Sequence, residues 1–360
     1  MTASPLSAVR SIVVFRALML GEWLCATPAL RALRVAAPRA RIVLCGLPWT
    51  AALAGRLTMV DDFLPFPGHP ALPEKAPGAG SLAEFNARAH VRRFDLALQM
   101  HGSGDVVNGI VASLGARMTA GFATPGTEDG LDIACPWPER GHEIDRCLVL
   151  ADAVGAPPQG RAITFPLRDA DRCEALSLLA SAGTCGEHAI VHPGAQLPSR
   201  RWPPERFARV ADALARQGLR IVITGSADEA ALARAVCDAM REPAVDLCGR
   251  TPSVWTLGAL VERAALVVAN DTGISHVAAA LRTPSVIVAS GSDVARWAPL
   301  DRARHRVLWA PVGCRPCAHA ACPTAHECAT AVSADDVVSA ALELLEVHPP
   351  CATSLAASAS

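Results

Sequence analysis

The chain has 360 residues, 51% of them apolar and 19% charged, and its formal net charge is −1. That length and apolar share suit two α/β cores better than one. Near-neutral charge excludes a global basic field that would gather nucleic acid or anionic lipid over the surface, so a polyanion partner needs a local patch.

Thirteen cysteines would suggest a disulfide scaffold in a small secreted domain, but Cys45, Cys147 and Cys237 stand singly in apolar runs and read as reduced core residues. The first apolar run, from Ile12 to Leu20, is cut by Arg16 and is too short to span a bilayer. Arg16 and Glu22 also spoil a signal-peptide pattern, so the run is expected to be a buried strand of a cytoplasmic protein.

Along the chain, β-branched runs alternate with helical patterns, which predicts βα units on parallel sheets. Strands are expected over 11–15, 41–45 and 95–99, with a helix over about 25–36 ending at Pro38. Residues 67–80 (PGHPALPEKAPGAG) hold too much Pro and Gly for a helix or central strand and read as a long loop. Residues 155–171 read as an interdomain linker with the boundary near Phe165.

Beyond it, strands are expected over 189–192, 219–224, 266–269 and 285–289. Pro203 and Pro204 suit a helix start, with Phe207, Val210, Ala211 and Leu214 at i, i+3, i+4 and i+7. Each half holds a helix, a short turn and an apolar strand ending in glycine, at 26–46 and 204–225, so two Rossmann-like domains are expected: 1–165 and 166–348. Residues 349–360 form a small-residue tail, expected to be disordered.

The segment Ala269-Asn-Asp-Thr-Gly-Ile-Ser-His276 follows an apolar strand and opens a small-residue helix from Val277 to Leu281. A strand, a Gly turn and a helix start gather backbone N–H groups and a helix-dipole end at one point, which suits a diphosphate. The plainer reading is that Asp271 and Thr272 only cap the helix. A second post-strand segment, His192-Pro-Gly-Ala-Gln-Leu-Pro-Ser-Arg-Arg-Trp-Pro203, carries guanidinium groups beside small residues. Arg200 or Arg201 can pair with a phosphate through two parallel hydrogen bonds, or the turn is simply solvated with Trp202 as a packing anchor.

Together these two segments, in their order and spacing, resemble glycosyltransferase family 9, the bacterial lipopolysaccharide heptosyltransferase family with the GT-B fold. The resemblance covers most of the chain. It implies two Rossmann-like domains facing each other across a cleft, an acceptor-side N-terminal domain and a C-terminal domain that binds a nucleotide sugar. The family's N-D-T/S-G-x-x-H segment resembles Asn270, Asp271, Thr272, Gly273 and His276, and its H-P-G-A and K-x-W segments resemble His192–Ala195 and Arg200-x-Trp202, with Arg in place of Lys. The donor-binding set it implies is His192, Gly194, Ser199, Arg200, Glu229, Asp271, Thr272, Gly273 and His276. Glu229 is the best match for a ribose-binding carboxylate, with Asp228 beside it.

Near the N-terminus, Gly21-Glu22-Trp23-Leu24-Cys25-Ala26-Thr27-Pro28-Ala29-Leu30 resembles the family's G-D-x-L-x-T-x-P-A-L at a loop entering the first helix. The family's Asp is regarded as the catalytic base, so Glu22, one methylene longer, takes that role here. An isolated Glu there would be read as a helix-start residue favoured by the dipole. Residues 94–103 resemble the family's strand and Gly-Ser loop, making His101 a second catalytic candidate on the acceptor side, although a lone His is more often structural than catalytic. Arg88, Arg92 and Arg93 either meet an anionic acceptor or form a solvated helix face.

Cys314, Cys317, Cys322 and Cys328, with His319 and His326, have ligand-like spacing for a structural zinc, although the transfer chemistry needs no cofactor and free or redox-variable thiols are the favoured reading. Asp169-Ala-Asp171 imitates a metal-binding D-x-D, but its place in the linker argues against that role. The resemblance implies an inverting, metal-independent glycosyltransferase moving a sugar, a heptose from ADP-heptose, to a lipid-linked core saccharide or related glycan, with peripheral contact at the inner membrane face. A nucleotide-sugar epimerase of similar architecture and a catalytically inactive nucleotide-sugar-binding protein are the alternatives.

Overall fold

The computed structural model describes residues 5–74, 80–184 and 186–349. The chain divides into two compact units, Met1–Pro166 and Leu167–Ser360. The first is built on β1 (Ser11–Phe15), β2 (Arg41–Gly46), β3 (Asp62–Pro65), β4 (Leu96–Gln99), β5 (Met118–Ala123) and β6 (Ile133–Pro136). These form a sheet of order β3-β2-β1-β4-β5-β6 in which every neighbouring pair is parallel.

The second unit holds β7 (His188–His192), β8 (Arg220–Ile223), β9 (Ala244–Asp246), β10 (Leu266–Asn270), β11 (Ser285–Val288) and β12 (His305–Leu308), in the all-parallel order β12-β11-β10-β7-β8-β9. Both are Rossmann-like sheets. Strand order reverses between β1 and β4 in one and between β7 and β10 in the other, and the carboxyl edge at such a switch point is where open α/β sheets bind ligands.

The central strands are continuous apolar runs because helices cover both faces of a parallel sheet. Val13 and Val14 of β1 and Val267 and Val268 of β10 are fully buried. The helix Pro204–Arg216 turns Phe207, Val210, Ala211 and Leu214 into the second core, where Phe207 meets Trp202 edge-on at 5.0 Å. Full burial of such large apolar side chains is worth about 1.5–3 kcal/mol each.

The structure corrects several sequence expectations. β3, β6, β9 and β12 lie at sheet edges, where one-sided burial removes the need for a continuous apolar run, and β5 carries a glycine; none of the five was anticipated. The helix expected over about 25–36 is Thr27–Ala36, with Pro28 in its first turn, and a separate helix that was not expected, Leu20–Cys25, precedes it. Glu22 therefore sits in the first turn of a helix rather than in a loop before one. The helix after β10 begins at Gly273, not Val277.

Asp169 and Asp171 open the helix Asp169–Ser181 instead of belonging to a linker: Asp171 accepts the Arg168 N–H at 2.8 Å and Asp169 pairs with Arg172 at 3.1 Å. Cys237 is only half-buried. Part of the 67–80 loop and the tail beyond Pro349 lie outside the described residues.

Candidate active site

In the first unit the chemistry gathers behind β1 and β4. Arg16, 1% exposed, immediately follows β1 and its guanidinium binds main-chain and side-chain oxygens from three segments. Nε and Nη2 donate to the Glu22 carbonyl at 2.8 and 2.5 Å, Nη1 donates to the Met100 carbonyl, and Nη2 meets Glu143 Oε1 at 2.9 Å. One buried cation thus fixes the turn carrying Glu22 and the strand end carrying His101, two segments that sequence alone could not join. Glu143 also approaches Arg146 at 3.4 Å, and Arg146 lies over the Trp137 ring.

His101 is buried, and its Nδ1 accepts the Ala17 N–H at 3.1 Å, which sets the neutral ring as the Nε2–H tautomer. Nε2 lies 3.7 Å from Glu74 Oε2, within ion-pair reach but beyond a hydrogen bond. The His101 imidazole holds the Glu74 carboxyl below its ordinary pKa, against a smaller opposing effect of burial. In this tautomer Nε2 carries a proton and has no lone pair to offer, unless the ring gives up Ala17.

In the second unit the expected donor residues lie at or after the ends of β7 and β10, the two switch strands, except Glu229, which follows β8. Asn270, fully buried at the end of β10, joins them: Oδ1 accepts the Trp202 N–H at 3.0 Å and Nδ2 donates to Pro193 O at 2.7 Å. Trp202 is itself buried and donates from Nε1 to Val332 O at 3.1 Å, so the turn before it is anchored at both ends of that residue. Arg201 donates from Nε to Ala195 O at 2.9 Å. Arg200 instead donates from Nη2 to Cys317 O at 2.8 Å, and among the described residues its buried Nε has no partner. Of the two guanidiniums, Arg200 is the one with a buried donor left without a partner among the described residues.

Thr272 precedes the helix Gly273–Leu281 in extended backbone and supplies no side-chain cap; its carbonyl accepts the Ser275 N–H at 3.0 Å, and the first-turn N–H groups of Gly273 and Ile274 are not capped by its hydroxyl. Ser275 Oγ donates to Thr272 O at 2.7 Å, and buried His276 meets the Trp297 ring edge-on at 6.3 Å. Asp271 is half-buried in the same turn.

Between the two segments, Glu229 accepts the Ser226 N–H at 2.8 Å and lies so close to Gly194 that a Cβ there would be 2.2 Å from Oε1. Any side chain at 194 displaces this carboxylate, whereas the neighbouring Asp228 is exposed. Burial pushes the His192 imidazole below its ordinary pKa, with Glu229 partly offsetting it, and Nδ1 lies 3.0 Å from Thr224 Oγ1. Ser199, expected among the donor residues, gives its hydroxyl proton to His319 O at 2.6 Å.

Cys314, Cys317, Cys322 and Cys328 are free thiols. Among the described residues no three His, Cys, Asp or Glu side chains are grouped so as to hold a metal ion. Sequence reasoning missed Arg16, Glu143 and Glu74 as site-forming residues and left Asn270 out of the donor set although its motif was recognised; for Arg16 the available signal was a charge ending the otherwise apolar β1 run.

The sequence profile described as glycosyltransferase family 9 (heptosyltransferase) matches residues 88–327. Lipopolysaccharide heptosyltransferase 3 of Escherichia coli K12 is 28% identical over 183 residues, a stretch covering 48% of this chain and 51% of that protein. The matched stretch therefore spans about half of that relative's length. Among solved structures, a family 9 glycosyltransferase from Veillonella parvula superimposes with a TM-score of 0.82 at 21% identity, covering 96% of this chain and 99% of that one. Escherichia coli ADP-heptose lipopolysaccharide heptosyltransferase II gives a TM-score of 0.74 at 19% identity, covering 94% and 99%. At these identities the structural likeness establishes the shared two-domain fold.

Proposed function

The chain belongs to glycosyltransferase family 9, and on that premise we propose that it transfers a heptose from ADP-heptose to a hydroxyl of a lipopolysaccharide core or related glycan, with inversion and without a metal ion. The observation that carries the donor half of this reading is the buried, unpartnered Arg200 Nε, held by the same Asn270-braced framework that opens a helix N-terminus at Thr272 and Gly273. Such a pairing of guanidinium and helix end suits a diphosphate. Glu229, kept in place by Ser226 N–H and the bare face of Gly194, is a carboxylate suited to accepting ribose hydroxyls.

In the proposed reaction Glu22 takes the proton of the acceptor hydroxyl, whose oxygen forms the new bond to the anomeric carbon. The bond from that carbon to the diphosphate oxygen breaks and its electron pair leaves with ADP. Arg200 and the first-turn N–H groups act where this negative charge develops, so they favour the transition state over the bound donor. His101 Nε2–H orients the acceptor. Charge on the leaving group is met by protein groups throughout, which is why added divalent metal should be dispensable.

Two measurements check this reading. Arg200→Ala should weaken ADP binding by about 1.5–3 kcal/mol, the range for a charge-assisted hydrogen bond, and an unchanged calorimetric affinity would remove Arg200 from the donor site. Turnover should survive EDTA; activity abolished by chelation and restored by magnesium or manganese would contradict the metal-independent mechanism. No helix of the described residues is long and apolar enough to cross a membrane. We propose that a lipid-linked acceptor is met by peripheral contact at the inner membrane face.

A further inference from the structure

The cysteine-rich segment takes no part in the reaction above, yet its main chain is bonded throughout to the turn that carries Arg200. All three polar groups of Ser199 end on it. The Ser199 N–H donates to Ala320 O at 3.1 Å, the hydroxyl donates to His319 O at 2.6 Å, and the carbonyl lies 2.9 Å from His326 Nε2. A carbonyl can only accept, so Nε2 of His326 carries the proton. The next residue, Arg200, donates from Nη2 to Cys317 O.

The segment is fixed in turn to the loop after β11. Cys317 N–H donates to Gly291 O at 2.7 Å, and Arg315 donates from Nη2 to Ala289 O at 2.8 Å and from Nη1 to Ser292 O. Gly291 has φ +70°, and a Cβ there would stand 2.8 Å from the Cys317 Cβ and 4.0 Å from Arg200 Cδ. The close approach of the two main chains requires glycine at that position.

The turn Pro198–Arg200 is a single three-residue 3-10 turn. So short an element has little stability of its own, and its geometry is imposed by what it is bonded to. We propose that the cysteine-rich segment 314–328 is the positioning element of the donor site, with His326 the positioning residue that sets Arg200 through the Ser199 carbonyl. This rests on the reading of Arg200 as a diphosphate ligand. It gives the segment a task carried by carbonyl oxygens and one imidazole, in which Arg200 meets an anion with its geometry already fixed rather than paying to order on binding.

His326 itself supplies the means of separating positioning from folding. It adopts left-handed backbone, φ 58° and ψ 40°, which glycine takes without strain. His326→Gly should therefore keep the thermal midpoint of the full-length protein near that of the wild type, while ADP affinity measured by calorimetry falls about 3- to 12-fold, the worth of one net hydrogen bond. His326→Gln, whose amide Nε2–H can reach the same carbonyl, should recover most of the affinity.

Arg200→Ala measured alongside distinguishes the two levels of the argument. If Arg200→Ala weakens ADP but His326→Gly does not, the positioning role is wrong and the donor reading stands. If His326→Gln is as weak as His326→Gly, the bond to Ser199 is not what His326 contributes, and the proposal fails. If none of the three variants alters ADP affinity, the donor reading fails and takes the proposal with it.

Discussion

Glu22→Gln should lower turnover by about 10²–10⁴-fold, the usual contribution of general-base catalysis, while ADP affinity stays at its wild-type value. Glutamine keeps the shape of the side chain and removes only its capacity to accept a proton. The main-chain carbonyl of residue 22, which receives two hydrogen bonds from Arg16, is untouched by the substitution, so the turn should remain in place. The residues proposed to bind the donor lie in the other unit, which is why binding should not follow turnover. Glu22→Asp restores the family's usual residue but shortens the reach of the carboxylate by one methylene, in a helix turn whose main chain Arg16 has already fixed. Full turnover in Glu22→Gln with a verified acceptor would move the base elsewhere, first to Glu74, whose carboxylate already stands beside His101.

Glu143→Ala should destabilise the first unit by about 3–5 kcal/mol, because it leaves Arg16 charged and buried with its carboxylate partner removed. The Arg16 and Glu143 side chains are 2% and 4% exposed, so water cannot readily replace the lost partner. Carbonyl acceptors from Glu22 and Met100 remain but carry no net charge. Glu143→Gln, which keeps the shape and an acceptor oxygen, should cost less. Denaturant unfolding read on the first unit checks this, and a midpoint shared by wild type and Glu143→Ala would show that the ion pair is not what holds the site. At temperatures where the variant remains folded, its turnover should fall with ADP affinity preserved, since Arg16 aligns the Glu22 and His101 segments only.

The central strands were legible because burial on both faces demands continuous apolar runs such as Ile12–Phe15 and Leu266–Ala269. Edge strands escaped detection for the converse reason: β3, with sequence DFLP, and β9, with AVD, carry charges that only a one-sided environment tolerates. The helix over about 25–36 was legible from its pattern, but that a separate six-residue helix precedes it follows from Arg16 and the burial of Trp23 rather than from local pattern. The donor segments were legible as motifs because both follow strands and hold small residues at fixed spacing.

What joins the site was not legible. Arg16 reaches a carbonyl 84 residues away and a carboxylate 127 residues away, separations that no local window contains. Glu74 was hidden in a Pro- and Gly-rich loop, read only for what it could not form. The cysteine-rich segment suggested ligands through its side chains, whereas its contacts with the donor turn run largely through main-chain oxygens, which leave no trace in residue identity.

The most direct test of the transferase reading is mass spectrometry and NMR of a reaction containing the protein, ADP-heptose, a heptose-deficient core saccharide and EDTA. The account predicts that ADP appears in equal amount to an acceptor product heavier by one heptosyl residue, and that the anomeric configuration of the transferred sugar is inverted relative to the donor. Recovery of ADP-heptose unchanged, or its conversion to an isomeric nucleotide sugar with the acceptor unmodified, would contradict it.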